Sequence, residues 1–276
     1  MSTVDGHRWT VITPNRPPVP WRELWARREL LGFLVWRELK IRYKQTAIGA
    51  AWAIFQPLVA MAIFSVIFGR LVGVETGSVP YATFALTGLI LWIFFANTVG
   101  QASNSLLDNE RIVSKVYFPR LLLPVAPILA GLLDLLIGSA LLIGVVMLDA
   151  NPFTWRLVVA PLAVSLGVAT AVGVGLVLSA LNVHFRDVKY VVPFMLQVWM
   201  FASPVVYPSD TVPDAWRPLY AINPVSSAIA MFRWSVLGSP WPPWSAVGVS
   251  VAVALIALAV GVRVFHRAEG TFADVL

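Results

Sequence analysis

The chain has 276 residues, of which 58% are hydrophobic and only 12% are charged. A soluble domain carries about 25% charged residues, and the apolar residues here fall in long uncharged runs. The composition therefore excludes an ordinary soluble globule and indicates a polytopic membrane protein. The net charge of +6 fits basic cytoplasmic loops better than nucleic-acid binding, and the absence of cysteine excludes disulfides and thiolate metal sites.

The first 44 residues divide into two parts. Residues 1–20 contain four prolines and no apolar run, which predicts an irregular cytoplasmic tail. Residues 21–44 place apolar and aromatic side chains at roughly helical spacing among charged ones, which predicts an amphipathic helix in the membrane interface. A solvent-exposed helix packed on a partner domain is the alternative interpretation.

Six uncharged or nearly uncharged stretches follow, and each is about as long as a membrane crossing requires, which is about 20 residues. We therefore expect an all-α protein whose transmembrane domain covers residues 45–265. The predicted spans are 45–69, about 82–107, 121–148, 157–181, 188–207 and 245–265.

The stretch between the last two predicted spans is different. Residues 218–232 are uncharged but too short for an ordinary span, which favours a re-entrant or interfacial segment. Asn223 and Pro224 form a typical helix start, with Asn as the N-cap and Pro at the first helical position. We expect two short helices here, near 213–220 and 224–237.

The distribution of basic residues predicts the orientation. With the N-terminus in the cytoplasm, 16 of the 20 Lys and Arg residues fall in cytoplasmic segments and four fall outside. This asymmetry follows the positive-inside rule and predicts six spans, with the C-terminal residues 266–276 also in the cytoplasm.

Motifs for catalysis are absent from the sequence. There is no P-loop for ATP, no H-E-x-x-H metal motif and no G-x-S-x-G nucleophile elbow. The three His residues lie far apart, and the 14 acidic residues form no paired motif on a loop. We therefore expect neither enzymatic activity nor a metal site in this chain.

Polar residues inside the spans are the more informative feature. Asn97, Gln101, Asn104 and Asp108 recur at helical spacing, so they share one face of the second span. Such a face contacts either other helices or a water-filled channel, and both interpretations stay open. Asp134 stands alone in the third span, which predicts a buried, hydrogen-bonded helix contact rather than a proton relay.

Aromatic residues are concentrated at the end of the fifth predicted span. Trp199, Phe201 and Tyr207 precede the two short helices, and either they anchor the protein at the membrane interface or they line a sugar path. Phe201 lies about 200° from Trp199 around a helix, so the two side chains cannot share one face.

The loop between the second and third spans, residues 108–119, is charged and amphipathic. Its sequence, DNERIVSKVYFP, fits a short helix with an apolar face. A plain cytoplasmic turn and a docking element for a cytoplasmic partner are the two interpretations.

Several sequence blocks together resemble a known family. The blocks WRELKIRYKQTAIGAAWAIFQP, NERIVSKVYFPRLLLPVAPILAGLLD, LSALNVHFRDVKYVVPFMLQVWMFASPVVYP, INPVSSAIAMFRW and RAEGTFADVL occur in order from about residue 21. Together they resemble permease subunits of polysaccharide ABC exporters, the O-antigen and teichoic-acid (Wzm-like) branch of the type-2 ABC transporter permeases.

The resemblance implies an assembly in the bacterial inner membrane: two copies of this chain with two copies of a cytoplasmic ABC ATPase. ATP and Mg would bind to that ATPase partner, and this chain would carry no cofactor. The substrate implied is an undecaprenyl-diphosphate-linked polysaccharide. Residues 21–44 would be the interface helix of this family, and residues 208–240 its periplasmic gate hairpin.

The same resemblance suggests roles for individual residues. For ATPase coupling these are Asn109, Glu110 and Arg111, and for the cytoplasmic gate Lys115, Tyr117 and Phe118. The predicted channel lining is Asn97, Gln101, Asn104, Trp199, Phe201 and Tyr207. Arg37, Lys40, Arg42 and Lys44 would contact the carrier diphosphate or lipid headgroups, although ordinary positive-inside anchoring explains them as well.

Two other functional classes remain as alternatives. An ABC exporter of small amphiphiles or drugs would share the fold but not the aromatic exit. A membrane-embedded glycosyltransferase would need acidic catalytic residues on its loops, and Asp108, Glu110 and Asp187 are too scattered for that role.

Overall fold

The protein is described by a computed structural model, which covers residues 25–44, 49–115, 118–149 and 154–272. Within these ranges the chain is helical and contains no strand. The helices are α1 Arg28–Lys44, α2 Trp52–Phe64, α3 Tyr81–Asn104, α4 Glu110–Lys115, α5 Leu122–Leu148, α6 Ala160–His184, α7 Val188–Phe201, α8 Arg217–Ala221, α9 Pro224–Leu237 and α10 Trp244–Ala268. The predicted all-α polytopic fold is confirmed.

Among the residues that the structure describes, five helical segments are long and apolar enough to cross a membrane: Trp52–Leu71, Tyr81–Asn104, Leu122–Leu148, Trp155–His184 and Trp244–Ala268. The first of these continues α2 through a π-helical segment, Ser65–Leu71. Each lies within a few residues of a predicted span, except that the first begins at Trp52 rather than at residue 45. Residues 45–48 and the tail 1–20 lie outside the described residues.

The fifth predicted span is shorter than expected. Its helix α7 has 14 residues and ends at Phe201, whereas the uncharged run extends to residue 207. At about 1.5 Å per residue, 14 residues rise about 21 Å, less than the about 30 Å of a bilayer core. Pro204 follows closely. Because a proline disfavours the helical conformation of the residue before it, the chain turns here instead of continuing as a helix.

Helix α3 lies at the centre of the bundle. It packs against α2, α5, α6, α7 and α9, and 78% of its most apolar 18-residue window is buried. The corresponding window of the first span is only 6% buried, so that helix presents almost all of its surface outward. A bilayer or another chain must cover this surface.

Small residues on α6 allow close helix packing. A Cβ placed on Gly175 would lie 2.9 Å from the Cβ of Ala102 on α3. On another face of α6, a Cβ on Gly173 would lie 2.6 Å from the backbone of α10. The two neighbours of α6 therefore approach it where it has no side chain.

The two short helices after α7 are present close to their predicted positions. Helix α9 begins as expected: the Asn223 side chain accepts a hydrogen bond from the backbone N–H of Val225, and Pro224 is the first helical residue. It ends at Gly238, whose φ of 71° is the left-handed conformation that glycine adopts readily at a helix C-terminus.

Helix α1 lies within the segment 21–44, for which an interface helix is predicted, and residues 21–24 lie outside the described residues. Leu34 is its buried residue, and α1 contacts α5. Trp25, just before it, and Phe33, Trp36 and Ile41 are more than half exposed. Exposed aromatic and basic side chains on one helix are compatible with the predicted interfacial position, which stays a prediction.

Candidate functional site

A cavity of about 680 Å³ lies where four helical segments meet. The C-terminal end of α1, the beginning of α2 and the middle parts of α3 and α5 form its walls. Its polar lining includes Arg42, Tyr43, Gln56, Asn97, Gln101 and Asp134, and aromatic surface comes from Trp52 and Phe94. The cavity therefore combines amide, charged and aromatic groups inside an otherwise apolar bundle.

An ion pair closes one side of this cavity. The Arg42 guanidinium donates hydrogen bonds to Oδ2 of Asp134 and to Oε1 of Gln101, and the Tyr43 hydroxyl donates to Oδ1 of Asp134. Burial lowers the pKa of Arg42, while Tyr43 and Glu38 raise it. A guanidinium stays protonated in proteins, so it can donate to the Asp134 carboxylate. Burial likewise raises the pKa of Tyr43, so its hydroxyl stays protonated and able to donate.

This contact supplies what the sequence analysis left open for Asp134. An ionised Asp at the centre of a membrane helix costs about 2.5–3.5 kcal/mol on insertion scales unless it finds a partner. The expected hydrogen-bonded helix contact is confirmed, and its partner is a charged residue 92 positions earlier in the chain. Contact of Arg42 with the carrier diphosphate or with lipid headgroups stays a prediction.

The polar face of α3 divides into two parts. Asn97 and Gln101 line the cavity, whereas the Asn104 amide donates to the Gly100 carbonyl at 2.9 Å and its oxygen accepts from Asn182 on α6 at 3.1 Å. The helix-contact interpretation is confirmed for Asn104, whereas the channel interpretation of Asn97 and Gln101 stays a prediction. Toward the cavity it lines open space, and toward the end of α3 it fastens two helices.

Two amides in the cavity have hydrogen-bonding capacity to spare. Asn97 and Gln56 line it, and neither side chain forms a hydrogen bond to any other residue that the structure describes. An amide offers two donors and an acceptor. The cavity can therefore bind a polar ligand without breaking existing contacts.

The three aromatic residues of the predicted exit lie elsewhere and form contacts within the protomer. The Trp199 ring packs edge-on against Phe95, with ring centroids 5.1 Å apart, and its N–H donates to Oδ1 of Asn223 at 3.0 Å. The Tyr207 hydroxyl donates to the Phe201 carbonyl at 2.8 Å. Only the Phe201 ring is half exposed, at 51%. These residues do not meet Asn97 and Gln101 in one cavity.

The loop after α3 forms the short helix α4. Glu110, Arg111 and Lys115 are exposed on it, and Val113 is buried. The Asn109 side chain donates to the Ser105 carbonyl at 2.7 Å, which joins the start of α4 to the end of α3. Val113 is the one described residue of the apolar face expected of this loop, and residues 116 and 117 lie outside the described residues.

The remaining residues predicted for this side of the membrane occupy varied positions. Phe118 is buried, whereas Tyr117 lies outside the described residues. Arg37 pairs with Glu38 at 2.9 Å, and Lys40 and Lys44 are exposed. Near them, burial and the neighbouring Glu38 raise the pKa of Asp108, while Lys189 lowers it.

Arg233 on α9 forms a buried hydrogen-bond network that sequence reasoning missed. Its guanidinium is buried and donates to the carbonyls of Pro204, Val205 and Phe84, and it lies 3.6 Å from the centroid of the Phe84 ring. It therefore joins α9 and α3 to the turn that follows α7. The available signal is a single Arg directly after the uncharged stretch 218–232, where the positive-inside rule accounts for it only as one of the four basic residues on the outer side.

No group of three or more His, Cys, Asp or Glu side chains within metal-binding distance occurs among the residues that the structure describes. The charged groups at the cavity are balanced by one another and give no metal-ligand set. What this site offers is binding through hydrogen bonds and aromatic contact.

Comparison with known proteins gives consistent results over nearly the whole chain. The model of the ABC-2 type transporter family matches residues 29–237. The chain is 29% identical to the O-antigen export system permease protein RfbA of Myxococcus xanthus, covering 92% of this chain and 97% of that protein. It is 26% identical to an RfbA of Klebsiella pneumoniae over 90% and 95% of the two chains, and 24% identical to the polysialic acid transport protein KpsM of Escherichia coli over 84% and 91%.

Proposed function

The chain belongs to the ABC-2 type transporter family, and from this membership we propose that it is the inner-membrane permease subunit of a polysaccharide exporter. The observation that carries the proposal is the full-length similarity to two kinds of named polysaccharide transporter, RfbA and KpsM. A likeness confined to a few helices would support only a shared fold. Here it covers the spans, the loop with α4 and the helices α8 and α9.

We further propose that the substrate is a glycan linked to a lipid diphosphate such as undecaprenyl diphosphate. Trp52 and Phe94 offer flat apolar surface to sugar rings, while Gln56, Asn97 and Gln101 offer amide groups to hydroxyls. Lys40 and Lys44 are exposed on α1 and supply positive charge for the diphosphate. Arg37 and Arg42 on the same helix are paired with Glu38 and Asp134, and are proposed to contact the diphosphate as well. The cavity would receive the substrate before it passes outward.

The transport path is proposed to form between two copies of this chain. Helix α2 and its continuation expose Trp52, Phe55, Val59, Ile63 and Val66, so this helix has surface available for a second copy as well as for lipid. Asn104 would then lie toward the cytoplasmic end of the path, and Trp199, Phe201 and Tyr207 would guide the polymer at its outer end. Both termini are proposed to be cytoplasmic.

Energy for transport is proposed to come from two copies of a separate ABC ATPase that binds ATP and Mg. Helix α4 is proposed to dock on that partner through Asn109, Glu110 and Arg111, of which Glu110 and Arg111 are exposed. Lys115, Tyr117 and Phe118 would form the cytoplasmic gate next to it. Neither a catalytic residue nor a bound cofactor is assigned to this chain.

The test is deletion of the gene for this chain, with surface polysaccharide and intracellular lipid-linked glycan measured in the same cells. We expect surface polysaccharide to disappear and lipid-linked glycan to accumulate inside, because synthesis continues while export stops. The matched control is complementation with the intact gene. Normal surface polysaccharide in the deletion strain, together with greater sensitivity to small amphiphiles, would contradict the proposal and favour the exporter of small amphiphiles.

A further inference from the structure

The residues after α10 fold back against the bundle. Glu269 continues the last helical turn with its N–H bonded to the Phe265 carbonyl at 2.8 Å, and the Thr271 N–H then bonds to the Ala268 carbonyl at 3.0 Å. This turn brings Phe272 into the protein, where it is fully buried. The segment Glu269–Phe272, which we name the C-terminal turn, is therefore packed rather than free.

Arg120 connects the C-terminal turn to the loop that contains α4. Its guanidinium donates to the Glu269 carbonyl at 2.7 Å and to the Val113 carbonyl on α4 at 3.4 Å. Its backbone N–H donates to Oε1 of Glu269 at 3.3 Å. One side chain thus bridges a carbonyl of α4 and a carbonyl of the C-terminal turn, which a planar guanidinium with five donors can do.

Apolar contacts reinforce this bridge. Phe272 packs edge-on against Phe265, with ring centroids 5.3 Å apart, and it lies edge-on to the ring of His184, with centroids 6.3 Å apart. The Thr271 hydroxyl lies 3.1 Å from Nε2 of His184. Val113 belongs to the same buried cluster as Phe265 and Phe272. The C-terminal turn therefore joins α4, α6 and α10 at one end of the bundle.

Helix α4 depends on such support. It has six residues, whereas an isolated helix shorter than about 12–15 residues is marginal in water. Val113 is the residue that it buries. The Asn109 side chain holds the start of α4 to Ser105, and the hydrogen bond of Arg120 and the apolar cluster around Val113 then support the rest of the helix.

We propose that the C-terminal turn is a positioning element that holds α4 in the orientation in which it docks on its partner. Arg120 and Phe272 act through α4 and need not touch the partner themselves. The consequence for transport depends on the proposed function, but the positioning of α4 does not. Loss of the turn would leave the bundle intact and make α4 mobile.

The first test measures the position of α4 directly. The chain has no cysteine, so Ser114→Cys on the exposed face of α4 gives one site for a nitroxide spin label. In the full-length protein we expect Arg120→Ala and Phe272→Ala to increase the mobility of the label. Arg267→Ala is the matched control, because Arg267 lies near the same end of α10 and forms no hydrogen bond or ion pair to another described residue.

Arg120→Lys is a milder second variant, to be used if Arg120→Ala does not fold. It keeps the charge but loses the planar fork, so we expect a smaller change in the same direction. Labels that stay as immobile in the folded Arg120 and Phe272 variants as in the Arg267→Ala control would overturn the proposal. A mobile label in these variants, with the control unchanged, supports it whatever the protein transports.

The second test measures coupling in the complete complex with the ATPase. We expect Arg120→Ala to lower export per ATP hydrolysed by about threefold or more, the range seen when coupling between sites is disturbed, while the complex still forms. A merely structural role would instead lower export and complex yield in proportion. Such a proportional loss, with a label that stays immobile, would contradict the positioning role.

Discussion

The contact between Arg42 and Asp134 shows how single residues shape the cavity. Each residue alone would place an unpaired charge in a largely apolar bundle, and together they form a bridge between α1 and α5. Removing one partner of a buried ion pair is strongly destabilising, whereas removing both can be nearly neutral. This asymmetry gives a direct test of the pair.

We predict that Asp134→Ala and Arg42→Ala each lower the thermal unfolding midpoint of the purified protein. The cost should be below the about 3–5 kcal/mol of a fully buried pair, because the two side chains keep 24% and 21% of their exposure. The double variant should lose less unfolding free energy than the sum of the two single losses. Asp134→Asn keeps a hydrogen-bonding group and should therefore retain export. Lys44→Ala, an exposed change on the same helix, is the control, and additive losses would contradict the ion pair.

Gly88 is a second position at which a single residue limits the packing, because an added Cβ has no room there. A Cβ there would lie 2.5 Å from Nη2 of Arg233 and 2.5 Å from the Val205 carbonyl. Both neighbours belong to the contact that holds the turn after α7, so neither can move without breaking hydrogen bonds.

We therefore predict that Gly88→Ala destabilises the protein by about 1–3 kcal/mol, as overpacking usually does. Gly144→Ala is the matched control, because a Cβ at Gly144 would meet no atom within 4 Å. The measurement is the thermal unfolding midpoint of both variants in the same detergent. Equal midpoints for the two variants would contradict the tight contact around Arg233.

At the scale of elements, helix α4 carries the proposed connection to the ATPase. We predict that Glu110→Lys weakens co-purification of the ATPase but leaves membrane insertion unchanged, because it reverses an exposed charge and disturbs no buried contact. A charge-assisted hydrogen bond contributes about 1.5–3 kcal/mol, so the loss should be measurable. Glu75→Lys, an exposed reversal in the loop between the first two spans, is the control; unchanged co-purification and export by Glu110→Lys would count against the docking role.

The two aromatic residues Trp199 and Phe201 on helix α7 are expected to have different roles. We predict that Trp199→Ala lowers stability, because it removes the Phe95 contact and the hydrogen bond to Asn223, whereas Phe201→Ala leaves stability nearly unchanged. If the outer end of α7 guides sugar, Phe201→Ala should still reduce surface polysaccharide in cells. Normal surface polysaccharide with Phe201→Ala, and with Tyr207→Ala at normal yield, would leave these residues as interfacial anchors.

Element positions could be predicted from the sequence because local rules determine them. The uncharged runs determine where spans lie, and Asn223 followed by Pro224 marks the start of α9 without reference to any other helix. Helix α7 was predicted too long, since hydropathy continues to residue 207 while Pro204 already ends the helix. Local signals thus locate a helix better than they locate its end.

At the scale of the whole molecule, the cavity could not be predicted, because its parts are distant in the chain. Arg42 and Asp134 each had a plausible local explanation, and only the packing of α1 on α5 brings them together. The face of α3 was recognised from spacing, but spacing alone could not tell that Asn97 faces open space while Asn104 bonds to Asn182. Pairings across the bundle require the fold itself.

The central claim is that this chain moves a lipid-linked glycan across the membrane with energy from a separate ATPase. Reconstitution of both proteins in liposomes loaded with lipid-linked glycan tests it most directly, with exposure of the glycan to an added glycosidase on the far side as the readout. We predict that exposure requires ATP and falls when Asn97 and Gln101 in the cavity are both changed to Leu. Steady ATP hydrolysis with the glycan still fully protected from the glycosidase would contradict the account.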